Sequence, residues 1–211
     1  KGMNAKLNLL NYDMTIEGLN VILLSDSHLV YIYPEGQKIN LKKNRDFTFN
    51  GILNAGNFEI FGNQHSFSYD NFKFDLPNID SLRIYVESDE LDEVGRKQQK
   101  RVKTVLENVN GELEIDSPGN KSGLKQLKRY PVFTSKENSY AYYDQPSTQG
   151  GVYARDSFYF QIKPFVIDSV DNFENKSLRF DGTFASAGIF PEFEETLLLQ
   201  EDFSLGFSRP T

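Results

Sequence analysis

The sequence lacks cysteine and tryptophan, and it has only two histidines among its 211 residues. Without cysteine, the chain can form no disulfide, no thiolate metal site and no cysteine nucleophile. A metal centre needs three or more converging His, Asp or Glu side chains, so two histidines supply few of the usual ligands. Tryptophan is the preferred aromatic platform for sugar rings, and a sugar-binding surface here must be built from other residues.

Long apolar runs and an excess of positive charge are also missing. No stretch approaches the roughly 18 to 20 apolar residues of a membrane-spanning helix, and no signal peptide is visible. The net charge of −7 argues against non-specific binding to nucleic acid or to an anionic membrane, because both need a basic surface. The chain starts and ends abruptly, with KG and RPT, so we expect an excised piece of a longer protein with no membrane span.

Aromatic residues are abundant, with 18 Phe and 11 Tyr. Such side chains fit a half-buried pleated surface, so they favour β-structure. Apolar and polar residues alternate with a period of two in several segments, which indicates strands that bury one face and expose the other. One-sided strands are typical of antiparallel sheets. We predict an all-β, mostly antiparallel fold with curved sheets, and the clearest strand candidates lie at residues 47–49, 72–76, 82–86 and 203–207.

Helix signals are few, and we expect at most one or two short helices. The stretch NKSGLKQLKRYP, residues 120–131, is compatible with a short helix that starts near Ser122 and ends before Pro131. The stretch EFEETLLLQ, residues 192–200, has helical propensity, but Phe193, Thr196 and the neighbouring strands favour an extended conformation. Clusters of Gly, Pro, Asn and Asp recur about every 8 to 12 residues, the spacing of all-β folds.

The segment ESDELDEVGRKQQKRVK, residues 87–103, interrupts the alternation with an acidic block followed by a basic block. Charge blocks of opposite sign attract each other and stay solvated, which is typical of a hairpin tip or a linker; a partner-docking loop is the alternative. We predict a β-rich lobe at 1–88, the charged hairpin tip or linker at 89–101, and a second β-rich lobe at 102–211.

One phrase occurs twice: FTFNGILNAGNFEIF at 47–61 and LRFDGTFASAGIFPEF at 178–193. Glycine inside a strand marks a bulge, a bend or a close backbone approach, so we interpret the phrase as a device that curves a sheet over aromatic side chains. An internal repeat would make the two lobes related, with equivalent glycines at the bends and equivalent phenylalanines as core anchors. The predicted equivalent pairs are Gly51 with Gly182, Gly56 with Gly188, and Phe58 with Phe190.

Residues that could carry catalysis form no recognised pattern. The SDSH stretch that ends at His28 has no partner motif and is interpreted as a surface turn, and His65 lies in the turn-like GNQHSF. The chain has no Gly-x-Ser-x-Gly elbow and no Gly-rich phosphate loop. Paired carboxylates or a calcium site around residues 168–175 are the alternatives. We expect no catalytic residue, metal or cofactor, and we interpret the acidic candidates as solvated: Asp168, Asp171, Asp181, Glu192, Glu194 and Glu195.

Tyrosines are concentrated in YAYYD at 140–144 and VYARDSFYF at 152–160, on either side of a turn. Exposed tyrosines beside Asp and Gln can stack on sugar rings, whose axial C–H faces match an aromatic plane. The structural alternative is cross-strand aromatic pairing, which contributes a few tenths to about 1 kcal/mol per pair. The absence of tryptophan favours this alternative. The candidate sugar-binding residues are Tyr140, Tyr142, Tyr143, Tyr153 and Tyr159.

The run at 44–76 contains F-x-G-x-x-x-A-G, then F-x-I/F-G and an alternating strand. It resembles a unit of an uncharacterised family of large β-rich Gram-negative cell-envelope proteins, and residues 178–207 are similar. The two phrases are also similar to the AsmA/TamB-like repeating β-groove proteins, which carry lipid along an apolar trough. The envelope resemblance implies a non-catalytic structural or binding module, in the periplasm or at the outer-membrane surface, that contacts the rest of its parent chain. The alternatives are a carbohydrate-binding module or a lipid-contacting β-groove, with glycan or lipid as partner and no nucleic acid.

Overall fold

A computed structural model describes residues 4–145 and 149–208. The strand pairings within this part of the chain are all antiparallel, and it contains neither an α-helix nor a helix long and apolar enough to cross a membrane. The prediction of an all-β, mostly antiparallel fold is confirmed. The strands are β1 (Ala5–Leu7), β2 (Met14–Glu17), β3 (Ile22–Ser25), β4 (Val30–Pro34), β5 (Lys38–Leu41), β6 (Phe47–Ala55), β7 (Phe58–Ser68), β8 (Lys73–Leu91), β9 (Lys97–Arg101), β10 (Leu106–Glu114), β11 (Val132–Ser135), β12 (Ser139–Tyr142), β13 (Phe158–Ile162), β14 (Val166–Ile167), β15 (Arg179–Ser186), β16 (Phe193–Leu199) and β17 (Leu205–Gly206).

Nine of these strands form a continuous array in the order β4, β6, β7, β8, β10, β12, β13, β15 and β16. Successive side chains of a strand leave opposite faces, so the register aligns one inward row of apolar residues across the whole array. Full burial of a Leu, Ile or Phe side chain contributes about 1.5–3 kcal/mol, and this gain fixes the register. The inward row is Ile32, Leu53, Ile60, Leu82, Leu106, Ala141, Phe160, Phe184 and Phe193, and its first seven members have 0% exposure.

The array bends along a line that crosses β6, β7, β8 and β10. The pairing register shifts between Phe49 and Gly51, between Phe61 and Gly62, and again after Val109. Each shift is a bulge, which bends a strand and increases its twist. Gly51 has a φ of 129°, which glycine adopts far more readily than other residues. Gly51 therefore lies at a bend, where the sequence predicts one.

Beyond this bend the long strands take different neighbours, so the sheet branches at both sides. The first residues of β6 pair with β5, which continues to β2 and β1, whereas the rest of β6 pairs with β4 and then β3. Similarly, the end of β10 pairs with β11, which continues to β14, whereas the start of β10 pairs with β12. β9 pairs with β8, and β17 pairs with β16. The branches wrap around one core.

That core contains buried side chains from both halves of the sequence. Phe58 from the first half packs edge-on against Phe133 from the second, with ring centroids 5.7 Å apart. Both rings are almost completely buried, so the contact adds about 0.5–1.5 kcal/mol to the burial of their areas. The described parts of the two predicted lobes, 1–88 and 102–211, share this core and one sheet, and their relation as repeated lobes stays a prediction.

The charged segment at 89–101 forms the outer part of the β8–β9 hairpin. Its turn is fixed by Asp92, whose Oδ1 accepts hydrogen bonds from the backbone N–H groups of Val94 and Arg96. Acidic and basic blocks pair across the two strands, as between Lys100 Nζ and Glu90 Oε2 at 2.7 Å. β8 continues through residue 88 to Leu91, so the predicted end of the first lobe lies inside a strand.

The short helix expected within residues 120–131 is absent, so this prediction is wrong. The side chain of Asn120 is buried and makes two hydrogen bonds with the backbone of Lys125. Its Nδ2 donates to the carbonyl oxygen of Lys125, and its Oδ1 accepts from the N–H group of Lys125. Side chain–backbone bonds of this kind compete with helical hydrogen bonds. Gly123 adopts a φ of 66°, which is incompatible with a right-handed helix. By contrast, residues 193–199 form β16, as predicted.

The members of the repeated phrase differ in their structural roles. Gly182 lies in a regular part of β15 between Ile162 and Glu195. A Cβ there would lie 2.1 Å from the carbonyl oxygen of Gln161, so Gly182 permits a close approach of strands and does not mark a bulge. Gly51 and Gly182 are therefore not equivalent bending points.

The predicted equivalence of Phe58 and Phe190 as core anchors is wrong for Phe190. Phe58 is 1% exposed, whereas Phe190 is 60% exposed. The cause is the length of the turn, because only Gly56 and Asn57 separate β6 from β7, whereas six residues separate β15 from β16. The longer turn carries Phe190 away from the core. Phe193 occupies the position that corresponds to Phe58, since it is the first residue of the returning strand.

Candidate functional site

Three of the five candidate tyrosines meet on the outer surface of the nine-strand array. Tyr140 and Tyr142 lie two residues apart in β12, so their side chains leave the same face of the sheet. Tyr159 in β13 is paired directly with Tyr142. Their strand neighbours Ala141 and Phe160 are completely buried on the other face. We call Tyr140, Tyr142 and Tyr159 the outer tyrosine patch, and each of the three is half-buried.

The rings of this patch form a compact aromatic surface. The rings of Tyr140 and Tyr142 are nearly parallel, with an interplanar angle of 13° and centroids 5.7 Å apart. The ring of Tyr159 stands at 73° to that of Tyr140 at a centroid distance of 5.7 Å. Edge-to-face contacts of this type are favourable. The three rings therefore hold one another in place on an exposed sheet face.

A guanidinium group lies over one end of the patch. Arg155 places its Cζ atom 3.6 Å from the centroid of the Tyr142 ring. Its Nη1 donates to Asp144 at 3.1 Å, and its Nη2 donates to Glu107. The hydrogen bond to Glu107, followed by the bond to Asp144, raises the pKa of Arg155 above its ordinary value. The two carboxylates thus fix the cation over the ring.

Amide side chains complete the polar edge of the patch. Gln161 donates from Nε2 to the hydroxyl of Tyr140 at 3.0 Å, and Asn108 donates from Nδ2 to the hydroxyl of Tyr142 at 3.3 Å. Both tyrosine hydroxyls keep a proton that they can donate outward. The patch therefore combines apolar ring faces with hydroxyl, amide, carboxylate and guanidinium groups within one small area.

Tyr143 and Tyr153 do not belong to this surface. Tyr143 packs edge-on against Phe158 and Phe184, and burial raises its pKa to about 12. Tyr153 stacks on Phe158 with centroids 4.1 Å apart. Both tyrosines therefore cover aromatic rings of the inner face. For Tyr143 the cause is the strand alternation, which directs its side chain to the side opposite that of Tyr142. Their role is to close the core at this end of the array.

His28 lies in the turn before β4, but it is buried and not at the surface. Its Nδ1 is 2.8 Å from Asp171 Oδ2, and its Nε2 is 3.4 Å from Asp116 Oδ2. Asp116 also accepts a hydrogen bond from the backbone N–H of Ser117. His28 thus connects three chain segments that are distant in sequence. This polar contact fixes the loops at one end of the core.

The same geometry argues against a metal centre around His28. The two carboxylates approach opposite nitrogens of one ring, so all three groups cannot converge on one ion. No group of three or more His, Asp or Glu side chains that could hold a metal occurs among residues 4–145 and 149–208. Several other acidic candidates have separate partners: Asp168 pairs with Arg129, Asp181 with Thr196, and Glu194 with Lys163.

In comparisons with known proteins, no protein-family model, no curated protein and no solved structure matches this chain.

Sequence reasoning found the tyrosines of the patch but missed its polar partners. Glu107 reaches the patch because β10 pairs with β12, and this pairing joins residues that lie 33 positions apart, as Glu107 and Tyr140 do. Arg155 lies in the connection before β13, which carries no periodic pattern. Only the alternation inside YAYYD gives a usable signal, since it predicts that Tyr140 and Tyr142 share a face and that Tyr143 does not.

Proposed function

We propose that this chain is a non-catalytic carbohydrate-binding module that binds glycan at the outer tyrosine patch. The observation that supports the proposal is the pair of nearly parallel, half-buried rings of Tyr140 and Tyr142, with hydrogen-bonding side chains on their edges. A sugar ring presents apolar C–H faces and a rim of hydroxyl groups. Because Arg155 covers one face of the Tyr142 ring, the C–H groups would contact the ring surfaces of the patch that remain exposed, while Gln161, Asn108 and Glu107 can bind the hydroxyls.

The lipid-groove alternative receives less support from the side chains. A lipid-carrying trough needs a sheet face of phenylalanines that is left open. Phe47, Phe49, Phe67 and Phe74 are instead packed against one another in the core, each with an exposure of 5% or less. The outer face of the array carries aromatic and polar residues together, which suits a sugar better than an acyl chain.

The proposal also places the module in a larger protein of the bacterial cell envelope. The resemblance of the phrases at 47–61 and 178–193 to units of β-rich envelope proteins supports this location. In such a protein, the outer tyrosine patch would hold glycan while other surfaces contact the rest of the parent chain.

We expect alanine at Tyr142 to weaken glycan binding at least tenfold, equivalent to about 1.4 kcal/mol. The change removes one of the two parallel rings and the surface on which Arg155 lies. Affinity electrophoresis in gels that contain soluble polysaccharides of glucose, mannose, galactose or N-acetylglucosamine would measure the retardation of wild type and Tyr142→Ala. Tyr12→Ala is the matched control, because Tyr12 is 54% exposed and lies outside the patch.

Retardation of wild type by one of these polysaccharides, lost in Tyr142→Ala and kept in Tyr12→Ala, would support the proposal. Equal retardation of wild type and Tyr142→Ala would contradict it, and so would a lack of retardation by every polysaccharide. Thermal unfolding of both variants checks that the loss reflects binding, since a half-buried ring on the outer face contributes less to stability than a core residue.

A further inference from the structure

Tyr140 of the outer tyrosine patch belongs to a longer row of residues on the same face of the sheet. Tyr140 pairs with Glu107, Glu107 with Ser81, and Ser81 with Phe61. From Phe61 the row continues to two further strands, β6 and β4, and from Tyr140 it continues to three, β13, β15 and β16. No member of the row is buried. In strand order the row is Tyr33, Ile52, Phe61, Ser81, Glu107, Tyr140, Gln161, Thr183 and Glu194.

A groove of about 490 Å³ lies at the β4 end of this row, and we call it the distal groove. Its lining includes Tyr33, Ile52 and Phe61, which are consecutive members of the row. Tyr33 is 44% exposed. The groove is lined by Tyr33, Pro34, Glu35, Gly51, Ile52, Phe61, Gly62, Asn63 and Asp80.

The bulges of the bend lie beside the distal groove. Gly51 and Gly62 are paired with each other at the register shifts of β6 and β7, and both line the groove. Side chains cannot be accommodated at either position, since a Cβ would lie 2.4 Å from the carbonyl oxygen of Tyr33 at Gly51 and 2.1 Å from that of Asn78 at Gly62. Glycine at both positions therefore allows the close backbone packing that lines the distal groove.

The polar lining of the distal groove is rich in hydrogen-bond acceptors. Glu35 and Asp80 contribute carboxylates, and Asn63 contributes an amide that donates to Asp80 at 3.2 Å. Arg83 lies over the Phe61 ring at 4.2 Å and pairs with Glu59, as Arg155 pairs with carboxylates beside Tyr142. Acceptors next to an aromatic ring suit hydroxyl donors and repel an anionic ligand. A neutral sugar has the required chemistry.

Tyr140 of the outer tyrosine patch and Tyr33 of the distal groove are separated by five strand steps, from β12 through β10, β8, β7 and β6 to β4. Neighbouring strands lie about 4.8 Å apart, so the row spans roughly 24 Å between Tyr140 and Tyr33. Glu107 and Ser81, which lie between Tyr140 and the groove residue Phe61, are polar and half-buried. We propose that the outer face binds one extended glycan chain of about five or six sugar units that occupies both the patch and the distal groove.

This inference rests on the proposed function and adds a ligand class to it, namely a linear, uncharged oligosaccharide rather than a single sugar. Two consequences distinguish it from binding at the patch alone. Affinity must rise with chain length until the chain reaches the distal groove, and a change at Tyr33 must affect long chains only. A change at Tyr142 must affect chains of every length.

Isothermal titration calorimetry with linear oligosaccharides of glucose, mannose, galactose and N-acetylglucosamine, each from two to seven units, tests both consequences. We expect the affinity of wild type for a six-unit chain to exceed that for a two-unit chain at least tenfold. We expect Tyr33→Ala to weaken binding of the six-unit chain at least tenfold and to leave binding of the two-unit chain unchanged. The unchanged short-chain affinity also shows that Tyr33→Ala is folded.

The outcomes separate the two proposals. Equal affinity for two-unit and six-unit chains, or an unchanged six-unit affinity in Tyr33→Ala, would overturn the extended site while the patch still bound sugar. Absence of binding by every chain would overturn both proposals. Tyr12→Ala again serves as the control for an exposed tyrosine outside the row.

Discussion

Replacement of Gly56 by alanine is expected to destabilise the protein by about 3 kcal/mol, whereas the same change at Gly188 should cost only about 1 kcal/mol. The two glycines occupy matching places in the repeated phrase and both have a left-handed backbone, with φ values of 52° and 79°. A left-handed conformation costs an alanine about 1–2 kcal/mol. This part of the effect is common to both positions.

The difference arises from the surroundings of the two turns. A Cβ at Gly56 would lie 2.3 Å from the Cα of Asp171, whereas a Cβ at Gly188 meets nothing within 4 Å. Asp171 cannot retreat freely, because its side chain holds His28 at 2.8 Å. The backbone N–H of Asn57 also donates to the carbonyl of Val170. Overpacking against such a fixed segment costs typically about 1–3 kcal/mol.

Urea unfolding of wild type, Gly56→Ala and Gly188→Ala measures both values. Gly188→Ala is the matched control, since it shares the backbone penalty but not the clash. Equal losses in the two variants would show that the turn at Gly56 is not packed against the loop at Asp171. That result would remove the physical distinction between the two copies of the phrase.

Acidification from pH 7 towards pH 4 should reduce the stability of the protein by about 3 kcal/mol through His65 alone. His65 has 0% exposure, and neither ring nitrogen makes a well-formed hydrogen bond. Burial lowers its pKa from 6.5 to about 4, although the nearby backbone of Gly51 and the charge of Asp80 act in the opposite direction. The ring packs against Phe49, with centroids 5.1 Å apart.

The sign of the effect follows from proton binding. The unfolded chain protonates its histidine near pH 6.5, whereas the folded protein keeps His65 neutral down to about pH 4. Between these values the unfolded state binds more protons, so stability falls as the pH falls. Well above pH 6.5 both states are unprotonated at His65, so its contribution no longer depends on pH.

The variant His65→Leu isolates this contribution from all other titrating groups. We expect its stability to fall less than that of wild type between pH 7 and pH 4, by about 3 kcal/mol. At pH 7 the change should be neutral or stabilising, because it removes buried polar atoms that lack partners. Urea titrations at both pH values give the comparison, and identical pH dependence in the two proteins would contradict the assignment.

The strands of this fold are readable from the sequence, whereas their long-range pairing is not. Alternation in the FTF and LRIYV segments identifies β6 and β8, and the glycine within FNG marks the bulge at Gly51. Nothing local indicates that β6 and β10 each divide their length between two neighbours. The division depends on which residues meet across the core, such as Phe58 and Phe133, and these contacts join distant parts of the chain.

The sequence identifies the residues of the candidate site only in part, for the same reason. Tyr140, Tyr142 and Tyr159 are identifiable because they are dense in sequence and the hairpin between them is short. Arg155 and Glu107 are not, because a charged side chain in a loop or on a strand is usually solvated. The sequence around His28 indicates a surface turn for the same reason, yet the partners of His28, Asp116 and Asp171, lie 88 and 143 positions further along the chain.

The response of the tyrosine rings to oligosaccharide tests the carbohydrate proposal most directly. NMR spectra of protein labelled on its tyrosine rings would be recorded during titration with six-unit glucose, mannose, galactose and N-acetylglucosamine chains. We predict that, with at least one of these chains, the ring signals of Tyr140, Tyr142 and Tyr159 shift and saturate together while those of buried Tyr143 stay in place. Unchanged signals for all three patch tyrosines with every chain would contradict the account.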